Sequence, residues 1–116
     1  MQRKFRLTRS DDFKRVRRSG KSYAHPLVVL IVQESDEPHV RVGITAGRTV
    51  GTAVIRNRAK RLLREVMRPI IPTIASNLDL ILIARAGLAS ATLEEVSETV
   101  TNLLKRAKII TPLHES

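Results

Sequence analysis

The sequence predicts a single α+β domain folded as a two-layer sandwich. Three observations predict it. A chain of 116 residues suits one domain and allows a modest core. Hydrophobic residues make up 42% of the chain and cysteine is absent, so apolar burial must hold the fold without disulfides. The segments run helix, strand, strand, helix, strand, helix, with no repeats, linkers or low-complexity stretches, so residues 1–116 read as one domain. Phe5, Phe13 and Tyr23 are the only aromatics, which makes the expected core aliphatic.

Residues 10–18 read as a short helix. Thr8 or Ser10 is positioned to cap it, Asp11 and Asp12 suit its positive N-terminus, and Gly20 follows as a stop. Phe13 and Val16 share a face, and Arg17 lies one turn after Phe13. Residues 27–33 form an apolar run of strand length, and residues 40–45 alternate strictly. The polar turn at residues 34–38 between them predicts an antiparallel hairpin. The glycine-punctuated stretch 47–52 matches neither phosphate-binding nor dinucleotide-binding patterns. Residues 53–68 predict the strongest helix, with Ile55, Ala59, Leu62, Leu63 and Val66 as its apolar stripe and Pro69 as its end. Residues 80–84 read as a buried central strand. Thr92 and Glu95 form a capping box for a last helix, whose apolar face runs Leu93, Val96, Val100, Leu103, Leu104, Ala107.

Charge narrows the function. The net charge is +10, with 15 arginines against 6 lysines. Residues 1–21 carry nine basic and two acidic groups, and residues 41–68 carry eight basic groups and Glu65; the rest of the chain is neutral or acidic. Two segments therefore hold the whole excess, as expected if they fold into one positive face for a polyanion. Arginine's planar fork suits phosphate oxygens. On the central helix Arg56, Lys60 and Arg64 line one ridge, Asn57, Arg61 and Arg68 the next, and Arg58 a flank. The apolar stripe turns them outward. An ordinary solvated helix would interleave acids, as Glu94, Glu95 and Glu98 do in the last helix; here Glu65 stands alone.

The long apolar runs fall far short of the ~20 residues that cross a bilayer. With no cysteine and no leader pattern, a cytoplasmic protein without membrane attachment is expected. His25, His39 and His114 have no metal-ligand spacing, and no carboxylate cluster resembles a two-metal nuclease site.

Gly43-Ile44-Thr45 followed by Val50-Gly51-Thr52-Ala53-Val54-Ile55-Arg56-Asn57-Arg58-Ala59-Lys60-Arg61-Leu62-Leu63-Arg64-Glu65 resembles the signature of the bacterial ribonuclease P protein subunits. Asp12-Phe13 with Gly20 upstream, and Asp79 through Arg85 downstream, extend the resemblance over nearly the whole chain. It implies an α+β sandwich of about four strands in a mixed sheet with three helices and a left-handed β-α-β crossover. It also implies a small basic partner of a catalytic RNA that holds the magnesium ions, in a holoenzyme that removes the 5′ leader of precursor tRNA. No catalytic residue of the protein and no obligate protein partner are expected. Arg56, Asn57, Arg58, Lys60, Arg61 and Arg64 carry over as contacts to the catalytic RNA and the nearby leader, and Arg68 extends the same face. Phe13 matches a leader-cleft aromatic suited to base stacking, although core packing would also explain it. Arg17 and Ile31 stand where the family often has further aromatics; an arginine can still stack on a base, whereas Ile31 offers apolar contact alone. Arg48 and Thr49 replace lysines common before the central helix.

A structural ribosomal RNA-binding protein would share this charge and size, and the Arg-Asn-Arg spacing is what separates the two readings. A protein-only nuclease is disfavoured by the missing acidic cluster.

Overall fold

A computed structural model describes residues 2–110. Its spine is the strand β4 (Leu78–Ala84), whose Leu-Ile-Leu-Ile run is apolar on both sides and therefore needs cover on both faces. It pairs antiparallel with β2 (Val28–Glu34), from Val28 opposite Ala84 to Glu34 opposite Leu78. On its other side it pairs parallel with β3 (Arg41–Ala46), from Arg41 opposite Asp79 to Ala46 opposite Ala84. A short strand, β1 (Lys21–Ala24), completes the sheet in the order β1-β2-β4-β3. The hairpin expected between residues 27–33 and 40–45 does not form, because β4 inserts between the two strands. The more apolar strand takes the centre, and the alternating one takes the edge.

The parallel pairing of β3 with β4 requires a crossover, which α2 (Ala53–Ile70) supplies. Alternation along the strands divides the core in two. Val28, Leu30, Val42, Leu80 and Leu82 meet Ala59, Leu63 and Met67 of α2 and Val96, Val100, Leu103 and Leu104 of α3 (Leu93–Arg106). Ile31 and Ile81 point to the other face, where they pack with Leu7 and with Val16 of α1 (Ser10–Ser19). The sandwich of sheet against α2 and α3 thus carries the smaller α1 on its opposite face. The segment before α1 follows β3 outward: Leu7 is buried, and its backbone N–H donates to the Val42 carbonyl at 2.9 Å.

Helix ends differ from expectation in three places. Neither Thr8 nor Ser10 caps α1; its N-cap is Arg9, with no side-chain cap. Gly20 does close that helix, donating its N–H to the Val16 carbonyl. Pro69 lies inside the last turn of α2 rather than ending it, since buried Ile71 carries the chain on into a 3-10 turn at Ile71–Thr73. The apolar stripe of α2 also begins later than expected. Val54 is 71% exposed and Ile55 39% exposed, so the fully buried stripe starts at Ala59. The capping box of α3 forms as read: the Thr92 hydroxyl accepts from the Glu95 N–H, and the Glu95 carboxylate accepts from the Thr92 N–H. These bonds hold the exposed Glu95 carboxyl below its ordinary value.

Candidate nucleic-acid interface

Burial of Ala59, Leu63, Val66 and Met67 fixes the roll of α2 and so decides where its cations go. Asn57, Arg58, Arg61 and Arg68 are exposed, whereas Arg56, Lys60 and Arg64 are half-buried. Arg56 and Lys60 border a hollow with Ala46, Ala53 and Asn57 at the end of β3. Arg64 borders a second hollow with Arg6, Leu7, Thr8, Val42 and Ile44. The N-terminal segment thereby adds Arg6 to the α2 face. Among the described residues the only ion pair on this helix joins Arg68 to Glu65 at 3.2 Å. Arg56, Arg58, Lys60, Arg61 and Arg64 make none there, and the Arg56 Nε is buried without a hydrogen-bond partner.

The second set of site residues lies at α1. Phe13 is half-buried and lies against Gly43 of β3; a Cβ on that glycine would stand 2.4 Å from the ring's Cζ and 2.8 Å from Cε1. Arg17, one turn on, is exposed. Ile31 is not beside them on open surface. It is 5% exposed and packs under the end of α1, where Gly20 leaves room: a Cβ there would come within 2.6 Å of Ile31 Cγ2. Of the three residues expected at a leader cleft, Arg17 is exposed, Phe13 half-buried and Ile31 packed beneath α1.

Sequence reading missed a third constellation. Asp79, at the start of β4, is fully buried and surrounded by arginines. Arg41 of β3 donates to it twice, from Nε at 2.9 Å and from Nη2 at 2.8 Å. Arg15 of α1 donates to the same carboxylate and also to Gln33 of β2. Asp12 adds 3.2 Å and 3.5 Å contacts to Arg15 and Arg41, and Glu37 lies 3.6 Å from Arg41. Burial alone would raise the Asp79 carboxyl, but the hydrogen bonds from Arg41 and Arg15 outweigh it and hold the group below the ordinary carboxylate range. The available signal was an aspartate opening an apolar strand, a position that calls for a cation. Asp12, read only as favouring the helix end, belongs to this network too. Among the described residues no three His, Cys, Asp or Glu side chains converge as metal ligands.

The comparisons with known proteins agree with this architecture. A family model described as Ribonuclease P matches residues 1–108. The chain is 42% identical over 109 residues to the ribonuclease P protein component of Herpetosiphon aurantiacus, covering 94% of this chain and 89% of the relative. It is 38% identical to that of an Exiguobacterium species, covering 94% and 95%. The solved Staphylococcus aureus RNase P protein superposes with a TM-score of 0.83 at 30% identity over 92% of this chain and 98% of that one. The Thermotoga maritima protein gives 0.78 at 31% identity over 87% and 96%. With family model, curated relatives and fold in agreement over nearly its whole length, the chain belongs to the ribonuclease P protein components and is a subunit of that endoribonuclease.

Proposed function

We propose that the chain binds the catalytic RNA of ribonuclease P through the outward face of α2 and the 5′ leader of precursor tRNA through the α1 surface. In this reading it assists removal of the leader while the RNA supplies the catalysis. The observation that carries it is the set of unpaired cations on α2: Arg56, Arg58, Lys60, Arg61 and Arg64 have no counterion among the described residues. Like charges this close repel one another, and RNA phosphates relieve the repulsion. The Arg56 Nε–H is buried and unpartnered, and a turn of the side chain toward solvent would let a phosphate oxygen accept from it. Asn57 supplies a neutral hydrogen-bonding group on the same face.

The protein contributes binding and orientation in this division of labour. The carboxylates that do cluster, Asp79 and Asp12, are engaged by Arg15 and Arg41, so they make poor ligands for a divalent cation. Magnesium is assigned to the RNA, and the protein's cations lower the number of ions the RNA needs. Phe13 and Arg17 offer the leader a ring face and a guanidinium. The chain has no helix among the described residues long and apolar enough to cross a membrane. A cytoplasmic site of action fits the absence of cysteine.

The test is cleavage of precursor tRNA by the RNA alone and by RNA with this protein, across a magnesium series at matched ionic strength. The protein is expected to shift the magnesium requirement downward. An unchanged magnesium midpoint would sink the proposal.

A further inference from the structure

We propose that Gly43 is a positioning residue for leader binding: its missing side chain sets the depth at which the Phe13 ring lies between α1 and β3. The inference rests on the reading above that Phe13 contacts the leader. A Cβ at Gly43 would meet three atoms of the Phe13 ring, at 2.4, 2.8 and 3.2 Å, so ring and backbone already touch where any other residue would place a side chain. Gly43 carries no positive backbone angle, so its use here is space and not conformation.

The helix that carries Phe13 has little freedom to absorb a methyl group. Two residues past Phe13, Arg15 is tied to the buried Asp79 carboxylate and to Gln33. At the far end of α1, Gly20 abuts the Val16 carbonyl, Ile31 Cγ2 and the Val32 carbonyl, with 2.5, 2.6 and 3.0 Å to an added Cβ. Held at its middle by Arg15 and at its C-terminal end by Gly20, α1 resists rising as a unit. The displacement falls on the Phe13 side chain, which must turn out of its present seat. The ring's exposed part, the part a base would stack on, is then presented at another height and tilt. Stacking depends on contact of the ring face, so the leader loses affinity while the distant α2 face is untouched.

The experiment is a set of five holoenzymes, reconstituted with the parent chain, Phe13→Ala, Phe13→Leu, Gly43→Ala and Gly43→Ala with Phe13→Leu. The readout is the ratio of precursor to mature tRNA affinity, together with affinity for the catalytic RNA and its salt dependence. Phe13→Ala should lower the ratio by roughly five- to a hundred-fold, the range for one lost base stack. Gly43→Ala should lower it by a factor of a few or more, with catalytic-RNA affinity and salt slope unchanged. Adding Gly43→Ala to Phe13→Leu should lower it no further than Phe13→Leu alone, which serves as the reference. If Phe13→Ala leaves the ratio unchanged, the leader reading itself fails and the proposal falls with it. If Phe13→Ala lowers the ratio and Gly43→Ala does not, the leader reading stands and the proposal is overturned. If Gly43→Ala fails to fold, Phe13→Leu should restore folding by making room for the methyl. No restoration would show that the glycine serves something other than the ring, which also overturns the proposal.

Discussion

Arginine plays opposite roles in two regions of this molecule. On α2, Arg58 and Arg61 project into solvent with no counterion among the described residues, and Arg56 keeps a buried N–H unpartnered. Across the sheet, Arg15 and Arg41 spend their donors on Asp79, Asp12 and Gln33. The difference teaches that a basic composition does not by itself locate the binding face. What separates the two sets is a buried carboxylate. Asp79 converts two cations into parts of the fold, whereas the α2 cations, apart from Arg68 beside Glu65, stay available for a ligand.

The largest effect should come from breaking the paired set. Asp79→Asn removes the charge that Arg15 and Arg41 surround; breaking a fully buried ion pair costs roughly 3–5 kcal/mol, and the cost here is smaller because the arginines left behind stay 35% and 19% exposed. Chemical denaturation of the parent and the variant checks this. The same pair gives a pH signature. The Asp79 carboxyl is held below its ordinary value in the folded chain, so the unfolded chain takes up the proton first as pH falls. The stability that Asp79 adds is therefore full at neutral pH and fades below about pH 4, where an ordinary aspartate titrates. The gap between parent and variant should shrink on acidification. A gap that widens, or stays flat to low pH, contradicts the assigned pairing.

The unpaired set should behave the other way. Arg61→Ala removes an exposed cation, so stability should change by no more than about 0.5 kcal/mol. Its catalytic-RNA affinity should fall, and the slope of log affinity against log salt should flatten by up to about one unit. Binding titrations at several salt concentrations measure this. The smallest effect belongs to Arg68→Ala. Arg68 already has Glu65 at 3.2 Å, so removing it also frees a carboxylate near the interface. Its salt slope should change less than that of Arg61→Ala, and equal slopes would show that the surface pair does not hold in solution.

The sequence made the unpaired region more legible than the paired one, for a physical reason. Helix faces are local, so a period of 3.6 residues places Ala59, Leu63 and Val66 inward and Arg61 outward without knowledge of the rest of the chain. The capping box at Thr92 and Glu95 is equally local. The Asp79 network joins Arg41 and Arg15 across 38 and 64 residues, and no local pattern records such a pairing. The position of β4 between β2 and β3 was hidden for the same reason. β1 escaped notice because it is short, polar and mostly exposed, with only Tyr23 half-buried. Ile31 fitted a leader contact by position along the strand, but the strand turns it beneath α1.

The strand order also governs when this chain can fold as it leaves the ribosome. β2 and β3 are made early, yet each forms its long pairing with β4, which emerges more than 30 residues after β3. Until then the strand pairing of β3 among the described residues is the brief bridge from Arg6 to Val42, and Arg15 and Arg41 have no Asp79 to hold. The sheet therefore cannot close, nor Arg15 find its carboxylate, before the central strand is made. A nascent chain released before residue 78 carries most of the positive charge but neither the finished sheet nor the seat for its first helix.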